Sequence, residues 1–379
     1  TGWTKTLTER NSINEGTPGE VMVVDGAFKQ RLLSQEVRLN FDNGPLRWVA
    51  GAYAAQEKQT SFRNQTILSF DQTRNKTDIT NYAVFGEVNY EFAPGWRAIA
   101  GARLDRIKQD QDAFASSNGV VTSDTSNSFS DTVFIPKIGL QYEFGDSQSV
   151  SLTLQEGYRP GGSGIYVFDG SQYSYDPERT RSLELAWRGR FMDDRLRVSA
   201  NAFYQEWRDQ QVELQRDPLD YRTSYITNAG ESKSYGAELD LAYEVTDMLD
   251  LTASVGLLQT EFTEFKLGGS DYSGLAFSYA PEQNLSIGLA WGDDLGWFAN
   301  GNLRVQSSML SRLESNDPVE LGGFGTVDVA VGYGWDSARL TAYATNLFDR
   351  NYFIYEYGPG TMATLGDRRE VGLRLDYSF

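Results

Sequence analysis

The chain has neither cysteine nor histidine among its 379 residues. A thiol nucleophile, a histidine general base, a zinc site and a haem-ligating imidazole are therefore excluded. Its adjacent carboxylates, Asp193 with Asp194 and Asp293 with Asp294, fall in short predicted turns, where acidic residues favour turn formation. We accordingly expect no enzyme activity, no cofactor and no metal centre.

Positive charge is also scarce. Asp and Glu number 52 against 34 Lys and Arg, which gives a formal net charge of −18. Because contacts to nucleic-acid phosphates need an excess of Lys and Arg, nucleic acid is not an expected partner.

Long apolar runs and linkers are missing as well. No stretch reaches 18 consecutive apolar residues, so a transmembrane helix is excluded on length. No Pro-rich or Ser-rich linker, like-charge block or shift in composition divides the chain, so residues 1–379 are predicted to form one architecture. Residues 1–10 lack the apolar core of a signal peptide, so we expect that a signal was removed or that the chain belongs to something longer.

Aromatic residues and glycine are abundant, with 8 Trp, 21 Tyr, 21 Phe and 37 Gly, and the apolar positions follow a period of two. In the last segment Val371, Leu373, Leu375, Tyr377 and Phe379 share one face, while charged or small residues fill the other. The same alternation recurs at residues 138–144, 183–188, 196–202, 237–245 and 285–291. Each of these segments predicts a β-strand with one apolar face.

The connections between these strands alternate in length. The short ones lie at residues 42–44, 93–94, 145–147, 192–193, 246–248, 292–295 and around 336. The long, polar ones lie at residues 11–27, 58–77, 110–130, 160–177, 209–227, 264–279, 308–321 and 349–367. About sixteen strands result, with the short periplasmic turns and long extracellular loops that are typical of an antiparallel outer-membrane β-barrel.

Aromatic side chains collect on the side of the short turns. We interpret them as a girdle at the lipid–water boundary, because amphipathic rings favour that layer. Its predicted members are Phe41, Trp96, Phe144, Trp291, Trp297, Trp335, Tyr377 and Phe379. A soluble β-sandwich or propeller also has alternating strands, but it gives no reason for turn lengths to alternate or for an aromatic band at one end.

Four local motifs then suggest a family. They are SQEVRLNF followed by GPLRWVAGAY at 34–53, EGYRPGG at 156–162 followed by DPE at 176–178, ITNAG at 226–230 followed by GAELDLAYEV, and ATNLFDRNY at 344–352 before the last strand. In this order and spacing they resemble the barrel of TonB-dependent outer-membrane receptors. From turn chemistry alone, each motif is predicted to have a structural role.

The resemblance implies a barrel of about 22 strands with an N-terminal plug, of which this chain would be the C-terminal part without the plug. It also implies residence in the bacterial outer membrane with the C-terminus on the periplasmic side. The implied partners are outer-membrane lipid, TonB acting through the missing plug, and a scarce nutrient such as a ferric siderophore.

Aromatic and cationic residues in the long loops and at the loop ends of the strands are the candidates for ligand binding, because a wide site captures a bulky ligand by stacking and a few polar contacts. These candidates are Tyr158, Arg159, Tyr166, Tyr173, Trp207, Tyr221, Tyr352, Tyr355 and Tyr357. Alternatively, these rings form an upper girdle or pack the loops. Two other functions stay open: a complete sixteen-stranded porin, and an adhesive or structural barrel whose loops bind a protein.

Overall fold

Antiparallel β-strands dominate the structure. This computed structural model describes residues 2–15, 21–66, 70–166, 171–216, 224–313, 318–356 and 363–378. In these residues no helix is long and apolar enough to cross a membrane.

Sixteen strands form one antiparallel sheet, and each is bonded to the strands that precede and follow it in this series. In order they are β1 (Gly2–Glu15), β2 (Val21–Asn43), β3 (Leu46–Thr66), β4 (Phe70–Ala93), β5 (Trp96–Ser117), β6 (Val120–Phe144), β7 (Gln148–Arg159), β10 (Glu178–Phe191), β11 (Leu196–Gln215), β12 (Ser224–Thr246), β13 (Leu249–Glu264), β16 (Gln283–Gly292), β17 (Gly296–Gln306), β20 (Phe324–Gly334), β21 (Ala338–Thr345) and β24 (Glu370–Tyr377). The predicted number of strands and the all-β class are confirmed.

Four short hairpins lie within the longer connections. Their strands are β8 (Gly162–Ile165) with β9 (Gln172–Tyr175), β14 (Lys266–Leu267) with β15 (Ser270–Asp271), β18 (Met309–Arg312) with β19 (Val319–Leu321), and β22 (Phe353–Glu356) with β23 (Ala363–Leu365). The sequence pattern predicts these segments as loops, and within them these short strands form.

The short turns occur where they were predicted. Several of the predicted long loops are shorter in the structure, because the strands on either side extend into them. Residues 58–66 and 70–77, predicted as loop, continue β3 and β4, and residues 110–117 continue β5. The reason is that these stretches are polar on both faces, so the period-two pattern disappears while the backbone ladder persists.

The apolar face of the sheet is exposed. Val37 is 58% and Leu39 is 64% exposed on β2, and across the sheet Val371, Leu373 and Leu375 on β24 are each at least 67% exposed. A soluble protein rarely exposes so extensive an apolar surface, whereas a face covered by lipid requires it.

By internal contacts the chain separates into two compact units. The first comprises Thr1–Gly139, Gln155–Arg181 and Trp207–Gly230. It contains β1 to β5 and the β8–β9 hairpin. On the face opposite the apolar side chains, Lys137 Nζ lies 2.8 Å from Glu87 Oε2. Charged pairs thus occupy the polar face of this unit.

The second unit comprises Leu140–Leu154, Ser182–Glu206 and Glu231–Phe379. Near the end of β13, the Phe262 ring packs against Phe265 and Phe277 at 5.3 and 4.8 Å between ring centroids. Phe262 and Phe265 are each 1% exposed, so these rings make a local core that fastens the connection after β13.

Candidate ligand-binding site

The EGYRPGG and DPE motifs meet in a hydrogen-bonded network at the loop end of the first unit. Arg159 Nη2 donates to Glu178 Oε2 at 2.8 Å and to the Gln211 carbonyl at 2.9 Å. Gln211 N also donates to Glu178 Oε2, at 2.7 Å. Since Glu178 is 9% exposed and accepts from both, this carboxylate joins the ends of β7, β10 and β11.

ITNAG enters the same network through Asn228. Its amide oxygen accepts from Asp176 N at 2.7 Å, and its amide nitrogen donates to the carbonyls of Asp176 and Asp209 at 3.0 and 2.7 Å. Asparagine suits this position because it supplies a donor and an acceptor on one short side chain. Here the observed contacts agree with the structural role predicted for these motifs.

The β8–β9 hairpin follows β7 and carries two of the predicted tyrosines, Tyr166 directly after β8 and Tyr173 on β9. Its register pairs Gly162 with Tyr175 and Gly164 with Tyr173. A Cβ atom on either glycine would collide with the ring of its partner, so the rings lie flat across the glycine backbone. This close approach explains the GGSGIY and YSY pattern of the hairpin.

Tyr166 and Tyr173 form a three-ring cluster with Tyr225. The ring centroids are 5.2 Å apart for Tyr166 and Tyr173, and 5.4 and 6.0 Å from each of these to Tyr225. The guanidinium carbon of Arg216 lies 3.9 Å from the Tyr166 ring centroid. We call Tyr166, Tyr173, Tyr225 and Arg216 the tyrosine cluster. Its aromatic faces and cation can stack on a planar or anionic ligand.

A cleft of about 330 Å³ lies beside this cluster, between the hairpin and the polar face of β5 and β6. Ser163 Oγ donates to Gln111 Oε1 at 2.9 Å, and Asn127 Nδ2 donates to Ser163 Oγ at 3.2 Å. The polar lining is thus mostly neutral amides and hydroxyls, with Asp176 as its carboxylate.

Burial raises the pKa of the Tyr173 phenol to about 12. The phenol is therefore protonated at neutral pH. It can donate a hydrogen bond or stack on a ligand.

Other predicted binding residues are dispersed. Tyr158, at the end of β7, donates its hydroxyl to Asp131 Oδ2 at 2.9 Å, and Trp207 is half-buried on β11. In the second unit the Tyr352 ring stacks on Phe324 at 3.9 Å, and the Tyr355 ring stacks on Tyr279 at 5.9 Å. Tyr221 and Tyr357 lie outside the described residues.

The ATNLFDRNY motif forms a second hydrogen-bonded network, directly after β21. The Asn346 side chain accepts from Arg350 N and donates to the carbonyls of Arg350 and Asp367, each at 2.9 Å. Arg368 makes two hydrogen bonds to the Asp349 carboxylate, at 2.9 and 2.7 Å. The charged run at residues 367–370 therefore contributes an ion pair to this loop.

The predicted girdle residues within the described chain lie at strand ends or in turns and are exposed. These residues are Phe41, Trp96, Phe144, Trp291, Trp297, Trp335 and Tyr377. Phe379 lies outside the described residues. Their role at a membrane boundary stays a prediction.

Sequence reasoning missed Tyr225, Arg216 and the cleft. Tyr166 and Tyr173 lie on one hairpin, whereas Tyr225 lies on β12, and no spacing along the chain reveals that it meets them. A usable signal was present only for Tyr225, which directly precedes the ITNAG motif. No group of three or more acidic residues that could hold a metal ion occurs in the described ranges.

The sequence matches the family described as TonB dependent receptor-like, beta-barrel, over residues 3–347. The chain belongs to this family. Among curated relatives of this TonB-dependent receptor barrel, the metal-pseudopaline receptor CntO of Pseudomonas aeruginosa is 25% identical over 310 residues, which cover 81% of this chain and 42% of CntO. The iron-regulated outer membrane virulence protein of Vibrio cholerae is 26% identical over 328 residues, covering 82% and 47%.

Solved structures show the same fold. The ferric yersiniabactin uptake receptor FyuA from Yersinia pestis superposes with a TM-score of 0.83 at 17% identity, over 100% of this chain and 58% of FyuA. The copper transporter OprC superposes with a TM-score of 0.75 at 18% identity, over 100% and 63%. The receptor barrel described here spans about half the length of the curated relatives it matches.

Proposed function

We propose that this chain is the barrel portion of a TonB-dependent outer-membrane receptor that imports a scarce nutrient such as a ferric siderophore. The family match over residues 3–347 carries the proposal. Relatives named as receptors for metal-pseudopaline and for ferric pyoverdine support this ligand class. In the complete protein an N-terminal plug would contact TonB.

The tyrosine cluster and its cleft are the proposed first contact for the ligand. Siderophores present planar aromatic or amide donors around the metal, and the rings of Tyr166 and Tyr225 offer matching faces. Arg216 adds a positive charge that suits the anionic iron complex. The neutral amides of the cleft can bind the ligand's carbonyls.

The decisive experiment is uptake of radiolabelled iron supplied as a panel of catecholate, hydroxamate and mixed-donor siderophores. Cells that make the protein should accumulate iron from at least one of these complexes, and deletion of TonB should abolish the accumulation. Uptake that persists without TonB, together with steady conductance of the purified protein in planar bilayers, would instead indicate a porin. Cell adherence without uptake would indicate an adhesive barrel.

Within that experiment, Tyr166→Ala tests the cluster. Loss of one ring contact, worth about 0.5–1.5 kcal/mol, corresponds to about twofold to tenfold weaker binding. Tyr82→Ala is the matched control, because Tyr82 is a 58% exposed ring in the same unit on the apolar face of β4. Equal affinities for both variants would exclude the cluster from the binding site.

The proposed orientation puts the tight turns and the C-terminus in the periplasm and the tyrosine cluster outside the cell. Because this chain lacks cysteine, a single introduced cysteine gives a unique label. In intact cells a membrane-impermeant maleimide should label Ser174→Cys in the β8–β9 hairpin, but not Asp194→Cys in the turn after β10. Both should react after the outer membrane is made permeable. The reverse pattern in intact cells would invert the orientation.

A further inference from the structure

On β2 and β3 the apolar face ends at a boundary with basic residues. The unbroken register of β1 to β3 decides which side chains share this face, because directly paired residues point to the same side. On β2 the side chains of this face are, in order, Phe41, Leu39, Val37, Gln35 and Leu33, and the next two are Arg31 and Lys29. On β3 the boundary falls between Ala54 and Lys58, with Gln56 between them.

The height of this boundary fits the edge of a membrane. The ten-residue step from Phe41 to Arg31, at about 3.4 Å per residue and a strand tilt of about 45°, rises about 24 Å. An apolar band of about 25 Å is expected for outer-membrane barrels. Arg31 therefore lies where the acyl chains end and the head groups begin, on the side away from the tight turns.

Basic side chains stand side by side at this level. Lys5 pairs with Arg31 and Arg31 pairs with Lys58 across three consecutive strands, and Lys29 lies one outward position beyond Arg31. We call Lys5, Lys29, Arg31 and Lys58 the basic row. Like charges directly opposite each other destabilise a sheet. An anion bound from outside the chain would offset this repulsion.

The neighbouring acidic residues do not neutralise the charge of the basic row. Lys58 Nζ is 3.8 Å from Asp78 Oδ1, but Asp78 is closer to Lys76, at 3.0 Å. Asp110 and Asp112 pair with Lys108 and Lys76. Within the described ranges, Lys5, Lys29 and Arg31 have no ion pair, while Glu9 and Asp25 stand farther from the apolar face.

Beyond the basic row is a groove of about 690 Å³ on the same face. Leu7, Ala27, Phe62 and Phe114 supply its apolar surface, and its charged residues are the bases Lys29, Arg74 and Lys76 and the acids Glu9, Asp112 and Asp124. It offers room for the part of a head group that extends past its phosphate.

We infer that the basic row binds the phosphate of an anionic lipid in the outer leaflet, with the acyl chains against the apolar face below and the rest of the head group in the groove. The inference rests on the proposed membrane placement. Charge complementarity and continuity with the lipid-facing surface identify a lipid as the occupant: the chain is strongly acidic overall, yet Lys5, Lys29 and Arg31 stand together at this boundary without an ion pair among the described residues.

The test uses the protein purified in uncharged detergent and titrated with short-chain phosphatidic acid or with inorganic phosphate. Each positive charge at a lipid surface contributes enough to change affinity about fivefold. Lys5→Gln with Lys29→Gln and Arg31→Gln should therefore weaken phosphatidic acid binding by about a hundredfold, and Arg31→Gln alone by about fivefold.

The matched control is Arg188→Gln with Arg197→Gln and Arg374→Gln. It removes three exposed charges that lie on the polar face of their strands, and it should leave lipid affinity unchanged. Equal lipid affinity of the basic-row variants and the parent would overturn the inference. So would inorganic phosphate that binds as tightly as phosphatidic acid and is lost in the same variants, because the site would then serve the free anion.

The outcome is separable from that of the proposed function. TonB-dependent uptake of iron complexes does not use the basic row, so the triple variant should retain it while losing lipid binding. If no iron complex is imported, the proposed function is wrong, whereas the lipid titration still tests whether the basic row binds lipid.

Discussion

Asn346 combines a left-handed backbone, with φ of 44°, with three side-chain hydrogen bonds and 4% exposure. Asn346→Gly keeps the backbone conformation accessible but removes these bonds, which predicts a loss of about 1–3 kcal/mol in the free energy of unfolding. Asn346→Ala should lower the free energy of unfolding by about a further 1–2 kcal/mol, because alanine disfavours the left-handed region. Urea unfolding in detergent, followed by tryptophan fluorescence, measures both. An alanine variant as stable as the glycine variant would contradict the strain argument.

Asp349, just beyond the end of β21, gives this loop a pH dependence. Its bidentate hydrogen bond with Arg368 holds the pKa of the carboxyl well below its ordinary value. A depressed pKa means that the pair stabilises the fold above the unfolded value of about 3.9, and that this contribution fades as pH falls through the folded value.

The matched comparison is Asp349→Asn, which keeps the shape but not the charge. The stability difference between parent and variant should be constant from pH 7 to about pH 5 and should shrink below about pH 4. A difference that grows on acidification would show that the ion pair is not the cause.

At the scale of elements, the ends of β7, β10 and β11 depend on one carboxylate. Glu178→Ala leaves Gln211 N and Arg159 without their shared acceptor, which predicts a loss of about 1–3 kcal/mol. A double-mutant cycle with Arg159→Ala should give a coupling of about 0.5–3 kcal/mol. Thermal unfolding measures the four proteins of the cycle.

The Glu156–Arg181 pair is the control for that cycle. Its side chains are 35% and 60% exposed and their atoms are 2.9 Å apart, so solvent screens the pair. We expect a coupling of no more than about 1 kcal/mol. Equal coupling in the two cycles would mean that the Glu178 network adds nothing beyond an ordinary surface ion pair.

Only some of the elements could be predicted from the sequence. Sixteen strands and seven tight turns were predictable, because lipid on one face enforces alternation and turns are short. The continuation of β3 and β4 beyond residue 58 was not, because both faces meet water there and only the backbone ladder marks the strand. The tyrosine cluster was only half predictable: Tyr166 and Tyr173 were named, while Tyr225 joins them through tertiary packing.

For the whole molecule, the exposed apolar face makes an unusual prediction. In a soluble protein, replacing a residue that is 58% exposed by arginine costs little. Here Val37→Arg places a charge against lipid and should cost about 2–4 kcal/mol in phospholipid vesicles. Asn40→Arg on the opposite face of β2 should cost less than about 0.5 kcal/mol.

Reversible urea unfolding in lipid measures both arginine variants. If Val37→Arg and Asn40→Arg are equally stable, the apolar face of β2 is not in contact with lipid.

The strands β3 to β5 keep their hydrogen-bonded ladder to Thr66, Phe70 and Ser117, far past the level of Arg31. In the proposed orientation this part of the sheet lies outside the membrane, and because its ladder persists there, its backbone amides should exchange with solvent deuterium slowly. In that orientation, an antibody or a bacteriophage that binds these strands would meet a surface that is already ordered, so its affinity would not be reduced by the cost of ordering that surface.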